Sequence, residues 1–221
     1  MKLLDVEINW LGHSGFFIKN SKNIYLDPYN IPENSEKADI VFLTHSHYDH
    51  CSFADLKKIV QEGTIIVCPP SCQSSITKFD FPVQIELVEP GQEISLGEIK
   101  ISTLPAYNLQ SQFHSKSELW VGYLIKFHDV FIYHAGDTDL IPEMQKLTGY
   151  KQAGKEFVVL LPVGGKFTMN AEEAAEAVKL IKPTLAIPMH YGSVVGSEEN
   201  AKEFVELCEE NGIKAVMLGK E

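Results

Sequence analysis

Short apolar runs alternate with polar punctuation along the whole chain, and the period of that pattern changes as the chain proceeds. Residues 4 to 10 and 14 to 20 read as paired strands with Leu11-Gly12-His13 as the turn, and 23 to 27 as a third strand, so an antiparallel sheet opens the fold. The glycines around His13 mark a tight turn and assign that histidine a local structural role. Ala38-Asp39-Ile40-Val41-Phe42-Leu43 is a short apolar, β-branched run of the kind that forms a buried strand. Ser52 then caps a helix whose apolar face is Leu56, Ile59 and Val60 and whose end is Gly63. Strands follow at 64 to 68, 83 to 88 and 94 to 104, the last broken near Gly97, with a short helix after Pro70. Residues 105 to 118 are polar and without period, which predicts a loop of the length that often carries function.

The second half repeats the plan. Strands are expected at 119 to 127 and 130 to 134, joined at His128-Asp129, where His128 faces solvent. A loop at 142 to 155, a strand at 157 to 163 and a helix capped by Asn170 and Glu173 and running to Ile181 come next. A strand at 184 to 189, a helix at about 198 to 211 stopped by Gly212, and a strand at 213 to 218 complete the chain. Strands and helices in both halves, with no linker between them, imply two packed sheets flanked by helices in one domain over residues 1–221.

Chemistry concentrates where the strand at 38 to 43 ends. Thr44-His45-Ser46-His47-Tyr48-Asp49-His50 offers four potential ligands in the six residues from His45 to His50. If the segment stays extended, His45, His47 and Asp49 project to one side and His50 to the other, because strand side chains alternate. Two imidazoles then serve one ion while Asp49 and His50 reach a second, with the nitrogen and oxygen donors that suit zinc and similar metals.

His45-x-His47-x-Asp49-His50 resembles the metal-binding signature of the metallo-β-lactamase fold superfamily. Trp10-Leu11-Gly12-His13-Ser14-Gly15 and Leu26-Asp27-Pro28 before it, and His134-Ala135-Gly136-Asp137-Thr138 and Pro188-Met189-His190-Tyr191 after it, stand in the family's order. Within the superfamily the chain most resembles the branch of small metal-dependent hydrolases that includes ascorbate-6-phosphate lactonase and N-acyl-phosphatidylethanolamine phospholipase D. The resemblance implies an α/β (α+β) four-layer αββα sandwich holding one or two Zn2+ per chain, with Mn2+ or Fe as alternatives. It places His45, His47 and Asp137 on the first ion, and Asp49, His50, Asp137 and His190 on the second. It gives Asp27 a supporting role through hydrogen bonds to the metal loop; read from the residue alone, Asp27 is a turn acid before Pro28.

One departure stands out. The resembling branch has a histidine shortly after a Pro-Ala pair as a further imidazole for the first ion, whereas Pro105-Ala106-Tyr107 is followed here by Asn108, a poor zinc ligand. His114 in the same loop can substitute as ligand, act as an acid while Lys116 binds an anionic substrate, or face solvent. Asp139, Lys166, Thr168 and Tyr191 are further candidates for lining the pocket. The first ion is therefore expected to be the weaker one.

Composition narrows the function. A formal net charge of −11 argues against nucleic acid, whose binding draws on a basic surface, and disfavours a nuclease. No stretch reaches the roughly 20 apolar residues that span a bilayer, and the acidic N-terminus does not read as a signal peptide, so a cytoplasmic protein is expected. Cys51, Cys68, Cys72 and Cys208 form no CxxC pair and read as free thiols near the core, Cys51 as a packing residue. Two ions sharing a water give a hydroxide nucleophile, with Asp49 to orient it, and no serine or cysteine stands in a triad setting. The leading reading is a metal-dependent hydrolase of a small phosphodiester or lactone. Its rival from another class is a catalytically silent metal-binding or ligand-sensing protein.

Overall fold

Strands β1 (Lys2–Leu3), β2 (Val6–Gly12), β3 (Gly15–Lys19), β4 (Asn23–Leu26), β5 (Ile40–Phe42), β6 (Ile65–Cys68) and β7 (Gln84–Leu87) join in chain order into a seven-stranded sheet. Pairing is antiparallel from β1 to β4 and parallel from β4 to β7. The computed structural model describes residues 1–110 and 113–221, so Ser111 and Gln112 of the expected 105 to 118 loop lie outside the described residues.

The second sheet has six strands, β8 (Glu93–Leu96), β9 (Ile99–Pro105), β10 (Val121–Lys126), β11 (Val130–His134), β12 (Glu156–Pro162) and β13 (Leu185–Met189). It too is antiparallel at first and parallel from β11 onward. Helices α1 (Phe53–Ile59) and α2 (Gln73–Ile76) lie along the first half, and α3 (Ala171–Ile181) and α4 (Glu198–Glu210) along the second. Two mixed sheets with flanking helices make the α/β sandwich that the resemblance implied.

Strand periodicity sorts the core. Phe16, Ile18, Ile24, Leu26, Ile40, Phe42 and Val67 share one apolar cluster with Tyr123, Ile125 and Ile132 of the second sheet. Their alternating neighbours Phe17, Tyr25, Val41, Ile66 and Cys68 share another with Leu56 and Ile59 of α1. Both α1 residues are fully buried, worth about 1.5–3 kcal/mol each against exposure. Ser52 caps α1 by accepting from Asp55 N, and Asn170 with Glu173 forms a reciprocal capping box on α3.

Two expectations change. Residues 142 to 155 are not all loop: Pro142–Leu147 is a 3-10 helix, whose three residues per turn put Met144 and Leu147 on one buried face. Residues 213 to 218 do not close a sheet as a strand. Their backbone meets β13 at one isolated bridge, Ala186 N to Lys214 O (3.0 Å) and Val216 N to Ala186 O (3.0 Å), and the chain then crosses to β2, where Glu221 N donates to Trp10 O. A tail that bridges both sheets cannot run along the edge of either.

Polar bolts hold the sheets in register. Tyr123 on β10 donates its hydroxyl to Leu43 O (2.7 Å) beyond β5, with Val67 O at 3.2 Å. At the end of β11, His134 Nε2 donates to Ser14 O in the β2–β3 turn (2.8 Å), and its Nδ1 accepts from Gly136 N. Removing the first bolt leaves a buried carbonyl without its donor. Tyr123→Phe is expected to lower unfolding free energy by about 1–3 kcal/mol at unchanged m-value, read by urea denaturation with circular dichroism; a loss under 0.5 kcal/mol would mean that the hydroxyl contributes nothing net.

Candidate metal centre

The residues that carry the chemistry leave the same ends of the parallel strands, where open α/β sheets present their sites. Asp27 follows β4, Thr44 to His50 follow β5, Asp137 follows β11 and His190 follows β13. The β2–β3 turn adds His13, and the segment after β9 adds Asn108 and His114.

The metal loop is not extended as strand alternation had suggested. It curls back at His47, whose carbonyl accepts from His50 N (3.1 Å) and Cys51 N (2.8 Å). The curl brings His45, His47 and His114 together as one group of candidate ligands, with a second at His13, Asp49, His50 and His190 and a third at His45, His50 and Asp137.

Asp137 is the hub. Its Oδ2 lies 3.0 Å from His190 Nε2, 3.4 Å from His114 Nε2 and 4.0 Å from His45 Nε2, and its Oδ1 lies 3.3 Å from His50 Nε2. Donors bound at about 2 Å around one tetrahedral ion sit about 3.3 Å from one another, close to most of these separations. His50 Nε2, His114 Nε2, His190 Nδ1, His13 Nδ1 and Asp137 Oδ1 are buried and make no hydrogen bond among the described residues. Buried polar atoms without partners call for an explanation, and a metal ion would engage several of these at once.

The atoms behind the cluster decide which nitrogen faces it. Asp27 accepts from Thr44 N (2.8 Å), Thr44 Oγ1 (2.6 Å) and His50 Nδ1 (2.7 Å), all in the interior. A carboxylate only accepts, so His50 carries a proton on Nδ1 and points Nε2 inward, the nitrogen that a metal would take in place of any proton there. Thr44 has spent its one hydroxyl proton on Asp27 and must accept from His45 Nδ1 (2.9 Å), which turns His45 Nε2 inward too. His114 Nδ1 lies 2.8 Å from Asn108 Oδ1 and 2.9 Å from Phe167 O, both acceptors, so its Nε2 lone pair likewise faces Asp137. Asn108 Nδ2 donates to Asp139 Oδ1 (2.8 Å) and Phe167 O (2.9 Å). Asn108 therefore holds His114 in place rather than leaving a gap.

Charge and burial oppose each other here. Burial, reinforced by His50, holds the His45 imidazole well below its ordinary pKa, and burial lowers His47 and His114 as well. Burial also works against a charge on His50, but Asp137 and Asp27 outweigh it and hold that pKa well above the usual value. For Asp137 burial raises the pKa, and His190 and His50 outweigh it, keeping the carboxyl well below the carboxylate range. A buried carboxylate that needs neighbouring positive charge is one that welcomes a cation.

His13 is the residue that sequence reasoning placed elsewhere. The tight turn is present, with φ of 99° at Gly12 and 53° at His13, but it turns the side chain inward, Nε2 lying 3.0 Å from Asp49 Oδ2. Its backbone carbonyl accepts from His190 N (2.9 Å) and Trp10 Nε1 (2.9 Å), so one turn positions three site elements. The signal available was position: the turn lies at the same sheet end as the metal loop. Other candidates fall outside the cluster. Lys116 donates to Glu143 Oε1 (2.7 Å), Tyr191 stacks on Trp10 at 4.7 Å, and Asp139 accepts from Asn108 and Leu109 N. Thr168 donates toward Met169 O, and Lys166 is exposed beside Phe167. His128 is exposed, as expected.

A cavity of about 220 Å3 opens over the cluster, lined by His47, Tyr48, Asp49, Phe113, His114, Asp137, Phe167, His190 and Val194. On the opposite side Trp120 packs against His45 and His47, ring centroids 4.6 and 4.8 Å away.

Comparison with known proteins shows the family. The model of a family described as beta-lactamase superfamily domain matches residues 7–190. A UPF0173 metal-dependent hydrolase from Nanoarchaeum equitans is 33% identical over 222 residues, covering 98% of each chain. One from Pyrococcus furiosus is 32% identical, covering 96% of each. Among solved structures, the metallo hydrolase Igni18 from Ignicoccus hospitalis superposes with a TM-score of 0.77 at 27% identity, over 97% of this chain and 95% of its own.

Asp27→Asn tests the support. An amide turned toward His50 offers an N–H where Nδ1 needs an acceptor, which favours the wrong tautomer. Metal affinity, measured by competition with a chromogenic chelator, is expected to fall about 10- to 100-fold; unchanged affinity would confine Asp27 to bracing the backbone.

Proposed function

Since the chain belongs to the beta-lactamase superfamily, alongside relatives that are metal-dependent hydrolases, we propose that it hydrolyses a small molecule, a lactone or phosphodiester, at a dinuclear metal centre. His45, His47 and His114 would hold one ion and Asp49, His50 and His190 the other, with Asp137 between them. His13 either joins the second group or holds Asp49 by its hydrogen bond. Zinc suits the nitrogen-rich donor set, and Mn2+ or Fe is compatible with it. When bound, such ions lower the pKa of a shared water toward neutrality and polarise the oxygen under attack.

The protein's own part is orientation and proton handling. Asp49, at the cavity floor and held at Oδ2 by His13, would orient the attacking water and accept its proton. The Trp120 ring excludes water behind His45 and His47, which strengthens the electrostatics of the site. No described helix is long and apolar enough to cross a membrane. The four buried free cysteines fit a reducing compartment, and a cytoplasmic setting is part of this reading.

The single observation that carries the proposal is the set of imidazoles around Asp137 with nitrogens that meet no partner. A silent metal-binding protein is the alternative that Asn108 leaves open, and His114 beside His45 and His47, as a candidate third imidazole, supports the hydrolase reading over it.

Elemental analysis after dialysis tests the ligand set. The native protein is expected to hold two equivalents of metal, and His114→Ala about one. Two equivalents in both would remove His114 from the site.

Turnover tests the chemistry. Asp49→Asn, shown by the same analysis to keep its metal, is expected to lose about 10²- to 10⁴-fold in kcat on any substrate found in a panel of lactones and phosphodiesters; near-native turnover would remove Asp49 from catalysis.

A further inference from the structure

The cavity over the cluster has two unlike sides. Its floor is ionisable, and its wall is Phe113, Phe167 and Val194, with Tyr48 at the rim. Phe113 and Phe167 meet edge to face with centroids 4.8 Å apart. Phe113 is 62% exposed and Tyr48 65%, so large apolar surface faces solvent around a polar floor, as in pockets built to bury a ligand.

No lysine lines this cavity among the described residues, and the whole chain contains no arginine. The two lysines nearby are placed otherwise. Lys116 is paired with Glu143 and lies over the Tyr107 ring, and Lys166 lies over the Phe167 ring with Nζ 5.0 Å from its centroid. A carboxylate or phosphate on the substrate's side group would meet phenyl rings inside the cavity, with no guanidinium fork in the chain and the nearest ammonium, that of Lys166, outside the lining against Phe167, which it would have to leave to offset the desolvation. An uncharged apolar group would meet no such penalty. The volume also sets a limit: an apolar cavity of about 150 Å3 accepts benzene, so about 220 Å3 accommodates a phenyl-sized group beside the scissile bond.

We infer that the substrate is a small ester or lactone whose side group is uncharged, apolar and about the size of a phenyl ring, with Phe113, Phe167 and Val194 as the subsite for that group. The inference rests on the hydrolase reading above; of its two scissile groups it takes the ester or lactone, which unlike a phosphodiester brings no formal charge into a cavity that no lysine lines among the described residues, in a chain without arginine. In the reaction, water oxygen bonds to the acyl carbon and the acyl C–O bond breaks, its electron pair going to the departing oxygen. One water proton ends on that oxygen, and the other leaves the new carboxylic acid for solvent. Water is the only co-reactant. The carboxylate formed finds no cation in the wall, which favours its release.

The test uses zinc-loaded protein and pairs of γ-lactones identical except at the side group, phenyl in one and a carboxylate-ended chain of similar size in the other. The phenyl member is expected to have kcat/KM at least about 100-fold higher, the difference lying in KM. Phe167→Ala and Val194→Asp should each narrow that ratio to about tenfold or less. Equal or better use of the carboxylated lactone, or a ratio unmoved in both variants, overturns the inference. Cleavage of methyl phenyl phosphate with all lactones and esters inert overturns it too, while leaving the hydrolase reading intact. If nothing is cleaved, the hydrolase reading fails, and calorimetric titration with the inert N-benzylacetamide decides the subsite. Saturable binding weakened at least tenfold by Phe167→Ala supports the subsite, and absence of binding overturns it.

Discussion

The carboxylate of Asp27 accepts three hydrogen bonds in a place no water reaches, and the geometry of the metal loop depends on it. Burying a carboxylate costs several kcal/mol unless its lone pairs are met. Here they are met by the two polar hydrogens of Thr44 and by His50 Nδ1, the first residues of the loop and its last histidine. Through Thr44 the same carboxylate sets the tautomer of His45. One acid behind the loop therefore orients a histidine of each candidate ion group, and it does so before any metal arrives.

The arrangement carries backbone strain. Asp27, His13 and His190 all have left-handed φ values of 40°, 53° and 60°, a region that costs side-chain-bearing residues of the order of 1–3 kcal/mol each. Hydrogen bonds at the same residues offset that cost, among them His190 N to His13 O. Glycine is required where backbones meet most closely: a Cβ at Gly164 would stand 2.6 Å from His190 O. Strain collected at a cluster of unpartnered donors is the pattern of a site held ready for a ligand.

The two sheets are alike in plan, antiparallel first and parallel afterwards, and the site forms where their parallel ends face each other. Neither half supplies a complete ligand group. His45 and His50 come from the first half, Asp137, His114 and His190 from the second, and Tyr123 and His134 bolt the halves in the register that lets them meet.

The sequence by itself determined most of the architecture, because strand and helix periods are local properties. The alternation of Phe16, Phe17 and Ile18, or of Ile40, Val41 and Phe42, states which side chains face the second sheet and which face α1. The density of ligands in residues 45 to 50 stated the chemistry, since few other uses exist for that composition. Tertiary structure decided what depends on distant segments meeting. Residues 213 to 218 have the composition of a strand, but the tail from 213 to 221 is shared between two sheets. His13 has the neighbours of a turn residue, yet its turn is aimed at Asp49, 36 positions away. His114 and Asn108 read as a substitution and a loss. Only the folded loop shows them as a pair, an amide holding an imidazole against Asp137, because the orientation of a ring nitrogen is set by a hydrogen bond whose partner no local pattern can name.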